Sequence, residues 1–412
     1  MKHTIKKICV VGLGYIGLPT ACLFANAGYE VIGVDVNQEI IEKLNHGKLP
    51  FEEKGLEELF MSALPNMRFK TKPEEAGVFI VAVPTPLDKE AKMADLQYVR
   101  EAIKSISNYI KADSLVILES TVPPGTCERL ILPMLGNKAH LVHCPERAIP
   151  GNTIHEMIYN DRIIGSNEEG IGELAKEIYA SFVKGNIYLT NLRTAEMVKV
   201  MENTFRDINI ALANEFAQIA EESGVNIWEA IELANKHPRV NILKPGPGVG
   251  GHCIAIDPWF LVENSVRSRI VNLAREINDS MPRHVLRLVK ELGIGTRSTI
   301  TVLGVAYKGD VDDTRETPAL KFIKLAENEG YEVKVHDPYV KTFEYGILSL
   351  EEACKGSDCL LIITDHSQFK EIEPGEIARL MRKRNVVDSR NILDRGRWER
   401  AGFKVKVLGD GR

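Results

Sequence analysis

The hydrophobic residues in the first third of the chain occur in short, unbroken runs rather than in alternation with polar residues. Residues 8–11 form one such run, a glycine-rich segment follows at 12–17, and a stretch compatible with a helix continues to about residue 27. Residues 28–35 form the next run and end on an acid, Asp35. Unbroken apolar runs are typical of strands in a parallel sheet that is covered on both faces. The pattern therefore predicts a strand–helix–strand unit at the start of the chain.

Two further apolar runs, at residues 78–83 and 114–118, are each followed by a loop rich in Pro and Thr. In open parallel sheets, the loops at the carboxyl ends of the strands face the ligand crevice. Thr85 and Thr121 lie in these loops and are candidate ligand contacts. The alternative is that they only form turns, because Ser, Thr and Pro also favour turns for local reasons.

A single long helix is predicted for residues 195–223, ending at Gly224. Polar Lys199, Asn203 and Arg206 share one of its faces, since residues three and four apart lie side by side on a helix. Such a face is usually solvated, but a helix of this length can also bridge domains or form a dimer interface. A continuous apolar stripe follows the same spacing and consists of Met197, Met201, Phe205, Ile208, Leu212, Phe216 and Ile219.

The last third of the chain repeats the pattern of the beginning. Residues 299–306 resemble the first strand, 330–337 resemble 28–35, and 357–364 resemble the strand before Thr85. The first turn of this repeat lacks the glycine spacing seen at 12–17, so it is expected to bind something other than a dinucleotide. The whole pattern predicts an α/β protein with two doubly wound Rossmann-like domains joined by a central helical region that contains the long helix.

The first glycine-rich turn has the spacing of a dinucleotide-binding loop. Gly12 permits the tight turn, Gly14 lets the backbone approach a pyrophosphate, and Gly17 lets the helix pack closely on the strand. Asp35 lies where an acid can accept hydrogen bonds from ribose hydroxyls, and it would repel a 2′-phosphate. NAD is therefore expected as the cofactor rather than NADP.

Composition removes several classes of function. The 412 residues carry a net charge of −5, which gives no general attraction to nucleic acid. No apolar run approaches the roughly 18 residues of a membrane span. The seven cysteines are scattered without a CxxC pair, so no metal site is expected, and unpaired thiols fit a reducing cytoplasm.

One cysteine, Cys253, lies in the glycine-rich segment 244–257. An enzyme that only converts an alcohol to a carbonyl compound needs no thiol. A thiolate that adds to an aldehyde gives a thiohemiacetal, which can lose hydride to become a thioester that water then cleaves. Cys253 therefore suggests two successive oxidations, although a cysteine can also be just a small buried apolar residue. The segment is expected to lead into a helix with Pro258 in its first turn, whose N-terminus would stabilise a thiolate.

Six motifs together resemble the UDP-glucose/GDP-mannose dehydrogenase family, in that family's order and over nearly the whole chain. They are VGLGYIGLP, STVPPGT, AEMVKVMENTFRDINIALANE, GPGVGGHCIAIDP, GVAYKGDVDDTRETPA and VVDSRN. The resemblance implies oxidation of the C6 hydroxyl of a UDP-sugar to a carboxylate, with two NAD as acceptors. It also implies a homodimer or a dimer of dimers through the long helix, with Arg239 completing the pocket of a neighbouring subunit.

Three domains are expected on this basis. Residues 1–190 would form the NAD-binding Rossmann domain and residues 296–412 a UDP-sugar-binding Rossmann-like domain. Between them, residues 191–295 would form a helical dimerisation domain that carries the catalytic cysteine loop.

The resemblance also assigns roles residue by residue. Cys253 matches the nucleophile, and Lys199, with Asn203 beside it, matches the proton donor or acceptor that stabilises an oxyanion. Asp257, Glu146 and Thr121 match the remaining catalytic positions, and either Glu146 or Asp257 qualifies as the carboxylate that activates water. The cofactor positions are Gly12, Gly14, Tyr15, Ile16, Gly17, Asp35, Thr85, Thr121 and Arg315. The substrate positions are Arg147, Ala148, Lys199, Asn203, Arg206, His237, Arg239, Gly250, Tyr307, Lys308 and Arg390.

Within the family, His252, Arg147 and Arg206 are most similar to the members that act on UDP-N-acetyl-D-mannosamine. Members that act on UDP-N-acetylglucosamine are close to these and commonly have Pro where this chain has Ala255. Members that act on UDP-glucose have a Lys where this chain has Ile256, so any role of that lysine is absent or moved. Two other functions are alternatives to a sugar-nucleotide dehydrogenase. One is a one-step hydroxyacid dehydrogenase, which would need neither Cys253 nor the second α/β domain, and the other is a non-catalytic regulator that binds NAD or a nucleotide sugar.

Overall fold

A computed structural model describes residues 5–263 and 265–412, which form two compact units. The first unit comprises residues 5–202 with 259–263, and the second comprises residues 203–258 with 265–412. None of the helices within the described ranges is both long and apolar enough to cross a lipid bilayer.

The first unit contains ten strands. They are β1 Lys7–Val11, β2 Glu30–Val34, β3 Met67–Lys70, β4 Val78–Val81, β5 Leu87–Asp88, β6 Met93–Ala94, β7 Ser114–Leu118, β8 Ala139–His143, β9 Arg162–Gly165 and β10 Ile187–Thr190. Eight of them form one sheet in the order β10-β9-β8-β7-β4-β1-β2-β3. The run β3-β2-β1-β4-β7-β8 is parallel and has the order typical of dinucleotide-binding folds, whereas β8 meets β9 antiparallel. Both faces of this sheet are buried, since Ile8 and Val10 pack in one apolar cluster and Cys9 and Val11 in another.

The second unit contains five strands, all parallel. They are β11 Thr299–Leu303, β12 Glu332–His336, β13 Cys359–Ile362, β14 Asn385–Asp388 and β15 Lys404–Val407. Their order is β12-β11-β13-β14-β15, which is the other common doubly wound arrangement. The predicted fold class is confirmed, and each predicted strand is present: β7 has the predicted bounds, and the others differ by a few residues at one or both ends.

Fifteen α-helices accompany the sheets in the described parts of the chain. They are α1 Gly17–Asn26, α2 Gln38–Asn45, α3 Leu56–Ala63, α4 Gln97–Ile106, α5 Leu132–Leu135, α6 Thr153–Tyr159, α7 Ile171–Tyr179, α8 Leu192–Ser223, α9 Ile227–Ala234, α10 Asp257–Val262, α11 Arg269–Glu291, α12 Pro318–Asn328, α13 Leu350–Cys354, α14 Pro374–Leu380 and α15 Arg395–Arg400. A π-helical turn, Cys127–Ile131, precedes α5, and 3₁₀ turns span Leu64–Asn66 and Ser367–Glu371.

The long helix α8 exposes its apolar stripe and buries polar residues. Phe205 is 62% exposed and Met201 54%, whereas Lys199 is 8% and Asn203 7% exposed. Arg206, the third residue of the predicted polar face, is exposed. A buried amine and amide on a helix are costly unless they have polar partners, so this face is a candidate for function rather than a solvated surface.

Candidate active site

The glycine loop after β1 has the close contacts that a dinucleotide-binding turn requires. Gly12 has a φ of 94°, and a Cβ on it would lie 2.4 Å from the Ala82 carbonyl oxygen. A Cβ on Gly17 would lie 1.8 Å from the Gly12 carbonyl oxygen, so α1 packs directly on the turn. Around Gly14, in contrast, a Cβ would meet no atom of the described residues within 4 Å. This open position, before the N-terminus of α1, is where a pyrophosphate fits.

Asp35 follows β2 and is oriented by two backbone groups. Its Oδ2 accepts a hydrogen bond from the Leu13 N–H at 2.9 Å, and its Oδ1 accepts one from the Asn37 N–H at 2.9 Å. The carboxylate is thereby held next to the glycine loop, with lone pairs remaining for ribose hydroxyls. The residues present therefore fit NAD.

The corresponding acid of the second unit, Asp337, is committed to the protein itself. Its Oδ2 accepts hydrogen bonds from the Val305 N–H at 2.7 Å and from Nε2 of His366 at 3.0 Å. Its Oδ1 accepts from two further backbone N–H groups. Burial raises the pKa of this carboxyl, but the hydrogen bonds from His366 and from the backbone outweigh burial and lower it to about 2. Asp337 therefore supports the loops of its own domain and is not presented to a ribose.

The loops that carry Thr85 and Thr121 are joined by Ser120, which was not among the predicted site residues. The two loops follow β4 and β7, which are neighbours in the sheet. Oγ of Ser120 accepts a hydrogen bond from the Val83 N–H at 2.9 Å and donates one to the Val83 carbonyl oxygen at 2.7 Å. Thr85 is buried and Thr121 is partly exposed, so the two predicted cofactor residues lie on loops that are fixed to each other.

Glu146 lies just beyond β8 and is almost completely buried. Its Oε1 accepts hydrogen bonds from the N–H groups of Arg147, at 2.6 Å, and Ala148, at 3.0 Å. Its Oε2 accepts one from Arg162 at 2.7 Å. The Arg147 side chain is also engaged, with Glu202 at 2.7 Å. The three predicted residues 146–148 are consecutive in sequence, and the structure adds Arg162, which no motif had indicated, as a partner of Glu146.

Lys199 lies on α8 close enough to His143 for its charge to affect that imidazole. Burial, with a smaller contribution from the positive charge of Lys199, lowers the pKa of His143 to about 3. The imidazole is therefore neutral at physiological pH.

In the second unit, Asn203 and Asp257 form a buried pair. Nδ2 of Asn203 donates to Oδ2 of Asp257 at 2.6 Å, and Asp257 is only 3% exposed. Asp257 begins α10, with Pro258 in the first turn as predicted. The Asp257 N–H donates to the Cys253 carbonyl oxygen at 2.8 Å, which fixes the turn that carries the cysteine.

The Cys253 loop packs against the loop after β11. The Gly251 N–H donates to the Arg315 carbonyl oxygen at 2.9 Å, and a Cβ on Gly251 would lie 2.9 Å from the Tyr307 ring. Burial, the charge of Asp313 and then that of Cys253 raise the pKa of Tyr307 to about 12, so its hydroxyl remains a neutral donor. Predicted substrate residues Gly250 and Tyr307 therefore lie in the same place as the cysteine.

The predicted cations of the second unit occupy different surroundings. Arg315 pairs with Asp313 at 2.6 Å, and Lys308 is exposed. His237 and Arg239 are exposed and lie next to each other, with Nε2 and Nη2 3.5 Å apart. Arg390 borders a cavity of about 400 Å³, which is lined by Trp228, Lys244, Pro245, Asp365, Lys370, Arg390, Asn391 and Ile392.

Cys253 is exposed, and the other six cysteines, all of them among the described residues, are buried. Burial raises the pKa of Cys9, Cys22, Cys144 and Cys354 to about 12, and those of Cys127 and Cys359 are also raised. A thiol with a pKa of about 12 holds on the order of 1000-fold less thiolate than one at the ordinary value of about 8.5.

Iodoacetamide is therefore expected to alkylate native protein at Cys253 before any other cysteine, because this thiol alone among the seven is both exposed and outside an apolar core. Peptide mass mapping after a short treatment measures the site. Protein unfolded in guanidinium serves as the control and should be labelled at all seven positions. Equal labelling of several cysteines in the native protein would contradict the prediction.

Three domains that define one protein family match successive parts of the chain in sequence. The NAD binding domain of the UDP-glucose/GDP-mannose dehydrogenase family matches residues 6–183, the central domain 193–280, and the UDP binding domain 301–395. The chain therefore belongs to the UDP-glucose/GDP-mannose dehydrogenase family, whose members are NAD-dependent oxidoreductases that act on nucleotide sugars. The family and the NAD cofactor predicted from the sequence are confirmed.

Individual relatives are similar over their full length. A UDP-N-acetyl-D-mannosamine dehydrogenase from Methanococcus vannielii is 49% identical over 422 residues, covering 100% of this chain and 98% of the relative. The solved structure of a UDP-N-acetyl-D-mannosamine dehydrogenase from Pyrococcus horikoshii is 43% identical in sequence and superposes with a TM-score of 0.92. The match covers 98% of this chain and 99% of that chain. That of a Staphylococcus aureus UDP-N-acetyl-mannosamine dehydrogenase is 40% identical, with a TM-score of 0.88 and 98% of both chains covered.

Proposed function

We propose that this protein oxidises the C6 hydroxyl of UDP-N-acetyl-D-mannosamine to a carboxylate, in two steps on one active site. The observation that carries the proposal is the exposed Cys253, held in a glycine-rich turn between the Tyr307 loop and the buried Asn203–Asp257 pair. A thiol is required only if the aldehyde is oxidised further. Each of the relatives described above is named for the same substrate.

The glycine loop and Asp35 would hold NAD, which would supply the hydride acceptor for each oxidation. Lys199 is proposed to exchange the proton of the C6 hydroxyl in the first step. The thiolate of Cys253 then adds to the aldehyde carbon, and Lys199 donates to the oxyanion that forms on it. Loss of the second hydride leaves a thioester on the cysteine.

Hydrolysis of that thioester needs a carboxylate that orients water. Glu146 is proposed for this role. Asp257 already accepts a hydrogen bond from Asn203, and its own N–H bonds to the Cys253 carbonyl oxygen at the start of α10. It is therefore proposed to position the Asn203 amide and the turn that carries the cysteine. Thr121 is assigned to the same water, because it stands on the loop fixed by Ser120 next to the dinucleotide-binding strands.

The remaining residues are proposed to bind substrate and cofactor as the sequence analysis assigns them. Arg390 and Lys244 suit the diphosphate or uridine of the substrate, since they border a cavity rich in polar groups. The domain division at residues 190 and 295 and a cytoplasmic location belong to the same proposal.

The exposed apolar stripe of α8 supports a homodimer or a dimer of dimers. Exposed positions of this size and spacing are uncommon on a surface that stays in water. The stripe includes Met201, Phe205 and Leu212, which are 54%, 62% and 41% exposed. Burying them against a second copy of the same helix would remove this apolar area from water.

The proposal is tested by mixing purified protein with NAD and one UDP-sugar, and by measuring NADH formed per sugar consumed. Two NADH with UDP-N-acetyl-D-mannosamine are expected. Two NADH with UDP-N-acetylglucosamine or UDP-glucose alone would keep the mechanism and change the substrate. One NADH would remove the role of Cys253, and binding of UDP-sugar without turnover would favour the non-catalytic regulator.

Replacing Asp35 with alanine is expected to raise the Kd for NAD by about 10- to 100-fold, because hydrogen bonds to a charged group contribute about 1.5–3 kcal/mol. The Kd for UDP-sugar should change little, and isothermal titration calorimetry measures both. Asp337→Ala is the matched control, since it removes the corresponding acid of the second unit and should leave NAD affinity in the folded protein unchanged. Equal losses for NAD and UDP-sugar in Asp35→Ala would show that Asp35 does not contact ribose.

A further inference from the structure

A buried cluster of charged and phenolic side chains lies beneath the catalytic loops of the first unit. It consists of Glu119 after β7, Glu146 after β8, Arg162 at the start of β9, and Tyr179 at the end of α7. All four are at least 92% buried. Glu146 is assigned a role in the proposed reaction, whereas the other three have none so far.

Arg162 is the centre of this cluster. Its Nη2 lies 2.7 Å from Oε2 of Glu146, and its Nη1 lies 3.8 Å from Oε1 of Glu119. Its guanidinium stacks over the Tyr179 ring, 4.6 Å from the ring centre. Burial lowers the pKa of Arg162, but the negative groups around it, with Glu146 first among them, together outweigh burial and raise the pKa well above its ordinary value. Arg162 is thus permanently charged and held on three sides.

Glu119 is held in turn by two hydroxyl groups. The Tyr179 hydroxyl donates to Oε1 at 2.6 Å, and the Thr20 hydroxyl donates to Oε2 at 3.0 Å. Burial raises the pKa of Glu119 to about 7, although the charge of Arg162 opposes this. At neutral pH Glu119 is therefore only partly ionised, and the ion pair of Arg162 is principally with Glu146.

The hydrogen bonds that the protein makes to Glu146 leave one acceptor position of its carboxylate unused. An ionised carboxylate accepts about four hydrogen bonds. Three are made by the protein: two from the N–H groups of Arg147 and Ala148 to Oε1, and one from Arg162 to Oε2. The remaining acceptor position is on Oε2, and the direction in which it points is set by the bond from Arg162 to the same oxygen.

We propose that Arg162, itself fixed by Glu119 and Tyr179, is a positioning residue for thioester hydrolysis, because it holds the Glu146 carboxylate in the orientation that aims a water. This inference rests on the proposed function and deepens it. In the step concerned, the water oxygen bonds to the thioester carbonyl carbon and the C–S bond breaks. The Cys253 sulfur takes one proton as thiol, and the other is released as the product leaves as a carboxylate.

The two hydride transfers need no water, so a defect in Arg162 should affect only the last step. A displacement of about 1 Å in a reacting group can slow a step on the order of 100-fold. Arg162→Lys keeps the charge but cannot bond Glu146 and stack on Tyr179 with the same planar group. It is expected to form two NADH per active site in a rapid burst and then to turn over on the order of 100-fold more slowly than wild type.

Stopped-flow absorbance measures the burst, and intact mass spectrometry of acid-quenched enzyme measures the thioester on Cys253. Arg162→Lys should accumulate the thioester on most of the enzyme. Arg193→Lys is the matched control, since Arg193 pairs with Glu128 on the exposed surface of the same unit and should behave as wild type. Slow turnover with no thioester, or turnover at the wild-type rate, would overturn the inference.

If Arg162→Lys does not fold, Tyr179→Phe decides. It removes only the hydroxyl that donates to Glu119, and it should accumulate thioester to a smaller extent; wild-type hydrolysis in this variant would overturn the inference. A wild-type protein that forms no NADH with any UDP-sugar refutes the proposed function and this inference together. A wild type that forms two NADH, beside an Arg162→Lys variant without thioester, refutes the inference alone.

Discussion

Cys253→Ser is expected to produce no UDP-sugar carboxylate and to form at most one NADH per sugar consumed. Serine keeps the size and polarity of the side chain but is a far weaker nucleophile than a thiolate, so the covalent intermediate does not form. Loss of a catalytic nucleophile lowers kcat by as much as about 10⁶-fold in a well-studied hydrolase, and a fall of at least about 10⁴-fold is expected here for acid formation. Chromatography of the sugar products with parallel NADH absorbance measures both quantities.

Cys354→Ala is the matched control for this variant. Cys354 is also in the second unit, but it is buried in an apolar cluster, so its loss should lower thermal stability and leave carboxylate formation intact. A Cys253→Ser enzyme that yields carboxylate at the wild-type rate would remove the thiohemiacetal and thioester from the mechanism.

Lys199→Met is expected to lower kcat by about 100- to 1000-fold, which is the usual cost of losing one donor to a developing oxyanion. The affinities for NAD and UDP-sugar should change much less, because the charge is needed where the oxyanion forms. Lys199 is 8% exposed, so methionine, of similar length, fills its place without a cavity. Steady-state kinetics with both substrates varied separates kcat from KM.

Lys199→Arg separates the two tasks assigned to the amine. Arginine still donates hydrogen bonds but does not release a proton at accessible pH, so it should rescue the oxyanion role and not proton exchange. Lys236→Met is the control and should match wild type, since Lys236 lies in the turn after α9 and forms only an exposed ion pair with Glu232. A Lys199→Met enzyme with a kcat near that of wild type would show that the buried lysine is structural.

The seven strands predicted from the sequence could be recognised because strands buried on both faces of a parallel sheet appear as continuous apolar runs. The other six strands of the two sheets were not predicted, and β3 and β10 among them are partly exposed and lie at the edges of the first sheet. The ends of the seven predicted strands were less predictable, since a turn residue such as Gly28 or Gly304 belongs to neither side of a hydrophobic pattern. The glycine loop at 12–17 was identifiable for a different reason: its contacts are all local, so sequence spacing determines them.

The two faces of α8 show what a periodic pattern leaves open. The spacing correctly placed the apolar residues on one stripe and Lys199 and Asn203 on another. It did not determine which stripe is buried, and in the single chain the apolar stripe with Phe205 is exposed while Lys199 and Asn203 are buried. Burial depends on what packs against a face, and residues distant in sequence or in another copy provide that.

Arg162, Glu119 and Tyr179 were missed for a related reason. They are separated from one another by at least 17 positions in the sequence, and each taken alone has the appearance of a loop or surface residue. The order of β7, β8 and β9 in the sheet brings Glu119 and Arg162 together, and the packing of α7 on β8 and β9 adds Tyr179. A charged residue at the first position of a short apolar strand, as in the DRIIG segment, is the one sequence signal that could have indicated Arg162.

The acid at the end of the second strand appears in both doubly wound domains, yet the two copies have different tasks. Asp35 retains lone pairs for a ligand, whereas all the bonds described for Asp337 come from its own domain, including the one from His366. Replacing the first acid is therefore expected to change ligand affinity, and replacing the second to change the stability of its own domain. Identity of residue and position between repeated domains is thus not evidence of a shared ligand.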